Sequence, residues 1–261
     1  HAHFGHVDGL GLFGRETINA KGINLHVSKQ MIELINQTPQ WKLMMDQGVF
    51  VIDEITDNQP KENSEFIMTP ILVPHRAELS DMHAFILRGE NKSLLYLPDH
   101  DTWEETLAMH NAENIRQWLK DLQIDIALID GTFWSNDELK ERAQEKVPHP
   151  PIEQTLEMLG YKQQGDTDIF FFHLNHTNPV YDEWSEQHTQ VVKWAGRSQN
   201  KACDFQFKIK ICLNSVDTII ERNQFPQIRN FFTIITCFSK RVNTIAFIHI
   251  NCNLKVMLTE P

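Results

Sequence analysis

Short apolar runs of strand length recur along this chain, and several empty directly into a histidine or an aspartate. ILVP runs into His75, LLYLP into Asp99, and IFFFHLN into His176. Amphipathic stretches such as SKQMIELINQ and PIEQTLEML stand between these runs, so strands and helices alternate. That alternation constrains the chain to a layered α/β fold rather than a helical bundle. VFVIDEI, EFIMTPILVPH, AFILRG, KSLLYLPD and DIALIDG read as strands, and turn-rich TDNQPKENS and RGENKS separate some of them. The second and third of these are expected as neighbours in one sheet. INLHV is a further strand, and Ser28 is placed to cap the helix that follows it. GRETINAKG predicts a short helix stopped at Gly22, and Pro151 opens another at PIEQTLEML. A longer helix is expected over residues 103–120, burying Trp103, Leu107, Ile115, Trp118 and Leu119.

Charge divides the chain. Residues 1–190 carry 14 Lys and Arg against 31 Asp and Glu, and residues 191–261 carry 10 against 4. An acidic body repels phosphates, which argues against nucleic acid or an anionic membrane surface as partner. The basic remainder is Asn-rich and β-branched and holds all four cysteines, Cys203, Cys212, Cys237 and Cys252. Their spacing lacks a CxxC element, and free thiols are expected. The domain expectation is a body over 1–190 and a basic, β-rich extension over 191–261. No run is apolar for the ~18–20 residues a spanning helix needs, and no secretory signal is visible, so the cytoplasm is the expected location. The chain opens on histidine rather than methionine, which reads as a processed, trimmed or incomplete product.

His1, His3 and His6 form H-x-H-x-x-H. Alternate residues of an extended segment point the same way, and a turn returns the third ring. Neutral imidazoles suit Zn2+ by default, with iron and manganese also compatible. The plain alternative is a flexible histidine-bearing terminus. His75, Asp99 and His176 each stand where a strand becomes a polar loop, the usual place for chemistry in such folds. Taken singly, each is explained as a cap, a turn or a surface residue; their occurrence together with the terminal cluster points to a metal.

The strings HAHFGHVDGLGLFGRE, VPHRAELSD, LLYLPDHDTW, DIALIDGTFW, VPHPPIEQTLE and HLNHTNP, in that order over residues 1–179, resemble the metallo-β-lactamase superfamily. Within it they look most like the pyrroloquinoline quinone biosynthesis protein B branch. The resemblance implies an αββα sandwich with metal at one edge of its sheets. It implies that His1, His3 and His75 hold a first ion, that Asp99 is shared between two, and that His6 and His176 belong to a second. Asp130 and His149 resemble pocket-lining features of the branch, and equally read as a strand-end cap and a turn residue. Two departures stand out. The superfamily's aspartate before the third histidine is Gly5 here, which weakens the second ion unless Asp8 or Asp101 substitutes. The superfamily has several strands ahead of the histidine motif on which this sequence opens; unless the C-terminal stretch replaces them, uncovered sheet edges and apolar surface are expected to favour instability or association, as a homo-oligomer.

The expected chemistry is metal-activated attack of water on an ester, amide, lactone or phosphodiester of a small-molecule substrate, with one or two Zn2+ ions. Asp8, Asp101, Asp130 and His149 are the candidates for orienting water or moving protons. The resemblance also implies an alternative, an iron-dependent oxidative step in quinone cofactor biosynthesis. An inactive metal-binding protein is a third reading.

Overall fold

The computed structural model describes residues 1–62, 66–139 and 147–195, with short strands at 233–235, 244–245 and 248–250. The four cysteines and nearly all of the basic stretch expected as an extension lie outside the described residues. The described residues divide into two compact units. The first comprises His1–Gln59, Ala77–Asp81 and the short C-terminal strands; the second comprises Pro60–Arg76 and the chain from Met82 onward to the end of the main described stretch.

In the first unit, helix α1 (Phe4–Val7) leads into a 3-10 turn, Asp8–Phe13. Strand β1 (Ile23–Val27) follows, alternating buried Ile23, Leu25 and Val27 with less buried Asn24 and His26, as a strand with one covered face should. It pairs in parallel with β2 (Phe50–Glu54), Leu25 opposite Ile52. A parallel pair needs a crossover, which α2 (Lys29–Gln37) and α3 (Pro39–Asp46) supply. Ser28 caps α2 by accepting the Met31 N–H, as expected, and Pro39 occupies the first turn of α3. Ala2, Val7, Leu10, Phe13, Ile35 and Phe50 are among the side chains that close this core. GRETINAKG forms turns rather than the expected helix. The Thr17 hydroxyl bonds back to carbonyls of the preceding turn and Asn19 takes φ +49°. So short a segment cannot offset helix nucleation once local bonds compete.

The second unit has, among the described residues, a six-stranded sheet in the order β3 (Lys61–Glu62), β4 (Ile67–Val73), β5 (Met82–Arg88), β6 (Ser93–Leu97), β7 (Ile126–Asp130), β8 (Asp168–Phe172). The expected neighbours β4 and β5 pair antiparallel, with Ile71 opposite Ala84. β6 is buried along its whole length, consistent with a strand covered on both faces. The helix expected over 103–120 is two helices, α4 (Trp103–Met109) and α5 (Ile115–Asp121). Asn111 at φ +52° ends the first, and the Asn114 side chain caps the second at Gln117 N–H. Trp103, Leu107, Ile115, Trp118 and Leu119 are all buried, as the periodicity predicts. Pro151 opens α6 (Ile152–Leu159), as expected, and a further helix, α7 (Glu186–Trp194), follows β8. Among the described residues, no helix is long and apolar enough to cross a membrane.

Asp125 ties the start of β7 to that of β6. Its Oδ2 accepts from Ser93 N at 2.8 Å and from Ser93 Oγ at 3.1 Å, and Lys92 Nζ stands 3.2 Å from Oδ1. Burial alone would raise this carboxyl, but the Ser93 N–H, then Lys92, hold it below its ordinary value. The folded value therefore lies under the unfolded one. Its stabilisation is present above the ordinary carboxylate range and is lost as pH falls through the folded value. Asp125→Ala is expected to cost about 1 kcal/mol at neutral pH. The side chain is 39% exposed, so solvent screening keeps the charge contribution small. Urea melts of both proteins at pH 7 and pH 3 should show the gap narrowing in acid; a gap independent of pH would contradict the charged role.

Candidate metal centre

Strand direction explains why residues far apart in sequence meet in the second unit. β4 is antiparallel to β5, β5 is antiparallel to β6, and β6, β7 and β8 run parallel. β4, β6, β7 and β8 therefore share one direction and end at one edge of the sheet. His75 follows β4, Asp99 follows β6, Asp130 closes β7 and His173 follows β8. His149 arrives from the loop before α6, whose start is held by Ile152 N donating to Phe133 O at 2.9 Å. Gly131 makes the close approach of β7 to β8 possible. A Cβ there would stand 2.9 Å from both Phe171 Cβ and Phe172 O.

Asp99 is 1% exposed and lies among imidazoles. Its Oδ1 is 3.1 Å from His173 Nδ1 and 3.8 Å from His149 Nδ1, and its Oδ2 is 3.9 Å from His75 Nε2. Asp99, Asp130 and His149 each offer a ligand atom within 4.8 Å of the others. Asp101 Oδ1 lies 3.0 Å from His75 Nδ1, so a proton on Nδ1 turns the Nε2 lone pair toward Asp99. This is how a carboxylate selects which nitrogen of a histidine ligates. Asp130 is similarly engaged. Its Oδ1 accepts Thr132 N at 2.9 Å and Thr132 Oγ1 at 2.7 Å, and its Oδ2 is 2.7 Å from His149 Nδ1.

Burial works on these groups in opposite directions. It would raise the Asp130 carboxyl, but the adjoining His149 draws it below its ordinary value. It would lower the His149 imidazole, but Asp130, then Asp99, raise it. The two form a buried histidine–carboxylate pair. His100 is entirely buried, and burial lowers it to about 4. It stays neutral, with Nδ1 2.8 Å from Thr106 Oγ1. Two buried carboxylates beside several imidazoles suit a divalent cation, and the mixed nitrogen and oxygen donors fit Zn2+.

In the first unit the three terminal imidazoles cluster. His1 Nε2 lies 2.8 Å from His3 Nδ1, and the His1 ring is 4.3 Å from that of His6, centre to centre. Glu78 Oε1 stands 3.2 Å from His3 Nε2. A side chain at Gly5 would meet open space, so crowding does not explain the missing aspartate.

Among the residues singled out in the sequence, His1, His3 and His6 come together in the first unit. His75, Asp99, Asp101, Asp130 and His149 come together in the second. Asp8 is exposed at the start of the 3-10 turn. His176 is also exposed, and the imidazole that reaches Asp99 is His173. β8 stops at Phe172, and His173, at φ +58°, turns sharply off its end while the chain carries His176 into the loop. Glu78 and Thr132 join these groups without a sequence motif of their own. Thr132 Oγ1 is 2.9 Å from His173 Nδ1 and 3.2 Å from His149 Nδ1. The adjoining DG turn at the end of β7 is the available hint.

The chain is similar to known proteins over most of its length. A family model described as "Beta-lactamase superfamily domain" matches residues 1–174. Coenzyme PQQ synthesis protein B of Xanthomonas campestris pv. campestris (strain B100) is 25% identical over 203 residues, covering 71% of this chain. The same figures hold for its counterpart in strain 8004. The chain spans 64% of the length of these relatives. Among solved structures, the Zn(2+)-bound PqqB from Methylobacterium extorquens aligns with TM-score 0.49 and 18% identity, covering 67% of this chain and 58% of that one. The metallo-beta-lactamase fold protein YhfI from Bacillus subtilis aligns with TM-score 0.49 and 14% identity, covering 75% and 67%. With two thirds of its length matched by the family model, the chain belongs to the β-lactamase superfamily, the metallo-β-lactamase grouping that its ordered motifs resemble.

Proposed function

We propose that this protein is a metal-dependent hydrolase of a small ester, amide, lactone or phosphodiester. The observation that carries this reading is the buried Asp99 carboxylate, which faces His75, His149 and His173 at the shared edge of the sheet. The ligands carried over from the family resemblance are His1, His3 and His75 for the principal ion. The resemblance gives His6 and His176 to a second, weaker one with Asp99 shared, and within the second unit the imidazole beside Asp99 is His173. A bound Zn2+ supplies Lewis acidity and a water acidic enough to ionise near neutral pH. Asp101 keeps the His75 proton on Nδ1 and its Nε2 available. Asp130 holds His149 by Nδ1, and the adjoining carboxylates raise this imidazole, which favours the protonated form as a proton donor to a leaving group.

The test combines metal analysis with assays of lactone and phosphodiester substrates. Purified protein is expected to retain about one equivalent of Zn2+ and to hydrolyse at least one of these classes. His149→Ala should lower kcat by roughly 10²-fold while metal content stays unchanged. Loss of metal in that variant would make His149 a ligand, and a folded wild-type protein with no metal affinity would end the hydrolase reading.

A second reading is favoured by the coenzyme PQQ synthesis protein B relatives, which match 71% of this chain. In it the same donors hold iron for an oxidative step in quinone cofactor biosynthesis. Retained iron with oxygen-dependent turnover, and no hydrolysis, would select it. Metal binding without turnover of either kind would select an inactive metal-binding protein.

A further inference from the structure

The segment Ala77–Asp81 belongs with the histidine-bearing terminus, although it follows His75 in sequence. Three contacts fasten it there. Ala2 N donates to the buried Ser80 Oγ at 2.9 Å, the Ser28 hydroxyl bonds to the Asp81 carboxylate, and Glu78 Oε1 stands 3.2 Å from His3 Nε2. The first two, one to backbone and one to a helix-capping serine, fix the segment independently of the third. Glu78 is therefore delivered to His3 by an anchored stretch, although its own side chain is 53% exposed.

The two nitrogens of His3 are divided between different neighbours. Nε2 faces the Glu78 carboxylate, which can only accept a hydrogen bond at neutral pH, and Nδ1 faces His1 Nε2 at 2.8 Å. A proton held on Nε2 leaves the Nδ1 lone pair on the side that faces His1 Nε2. At 2.8 Å these two nitrogens share a hydrogen bond, and a cation that took both imidazoles as ligands would replace the shared proton. A carboxylate behind a ligating histidine fixes its tautomer and orientation and raises its basicity.

We propose that Glu78 is a positioning residue for the first ion, acting through His3 by accepting its Nε2–H. This rests on the proposed metal-binding function and adds to it a residue outside the ligand set. As a surface ion pair alone, Glu78 would contribute little to folding. As the acceptor behind a ligand, it should matter to metal affinity.

The experiment measures the Zn2+ dissociation constant of the full chain by competition with a chromogenic chelator, together with thermal melts of the metal-free proteins. Glu78→Ala is expected to weaken Zn2+ binding by about 10-fold. The metal-free melting temperature should not move. Glu78→Gln, whose amide oxygen still accepts from Nε2–H, should restore most of the affinity, and Glu90→Ala, an exposed control, should match wild type. If wild type binds Zn2+ and Glu78→Ala binds equally well, the positioning role is overturned while the metal site stands. A Glu78→Gln variant as weak as Glu78→Ala would overturn the hydrogen-bond mechanism in favour of net charge. Absence of Zn2+ binding by folded wild type would overturn both the site and this role.

Discussion

Asp99→Asn is expected to weaken Zn2+ binding by on the order of 10²-fold or more, beyond the effect of losing a residue that only supports a ligand. The carboxylate is 1% exposed and stands against three imidazoles, so removing its charge removes the main anionic partner for a cation at that edge. The metal-free protein should respond quite differently. Without an ion, the cost of burying the Asp99 carboxylate works against its attraction to His149, and Asp130, 2.7 Å from the same Nδ1, still pairs that imidazole in the variant. The variant is therefore expected to melt within a few degrees of wild type in chelator. It should lose the upward shift that added Zn2+ gives wild type by binding the folded state. A variant that still shows the full shift would remove Asp99 from the ligand set. One that collapses in chelator would make the residue structural.

Trp103→Ala is expected to lower stability by about 3–5 kcal/mol. Trp103 is among the largest fully buried side chains, with its ring 6.2 Å from that of Trp118 and 4.5 Å from that of His100. Its Nε1–H donates to Thr155 Oγ1 at 2.8 Å, which joins α4 to α6. Truncation leaves a large cavity and breaks a buried hydrogen bond. Urea unfolding followed by circular dichroism measures the loss. A cost below about 1 kcal/mol would mean that the surrounding helices collapse into the space.

Local periodicity reaches much of this architecture. β4, β5 and β6 are contiguous apolar runs, and each lies where its run predicts. The break between α4 and α5 is visible in principle, since Asn111 and Asn114 both favour a helix end or start, but the apolar spacing on either side continues through it. The site is harder to read. His173 and His176 both follow the same apolar run, and the choice between them depends on where β8 leaves its ladder, a tertiary matter. Glu78 reaches His3 across a long sequence separation, so no local pattern can announce it. Asp101 and Asp130 stand out in the sequence as acids. Their partners, His75 and His149, become apparent only from the fold.

The common direction of β4, β6, β7 and β8 has an evolutionary consequence. The candidate donors His75, Asp99, Asp130 and His173 sit on or within two residues of strand termini, whereas the exposed stretches of the connections beyond them lie outside the sheet ladder. Those connections can lengthen, shorten or change composition without dislodging the anchors. On the proposed function, substrate preference can thus drift while the candidate donors stay in place, and relatives that share these donors need not share a substrate.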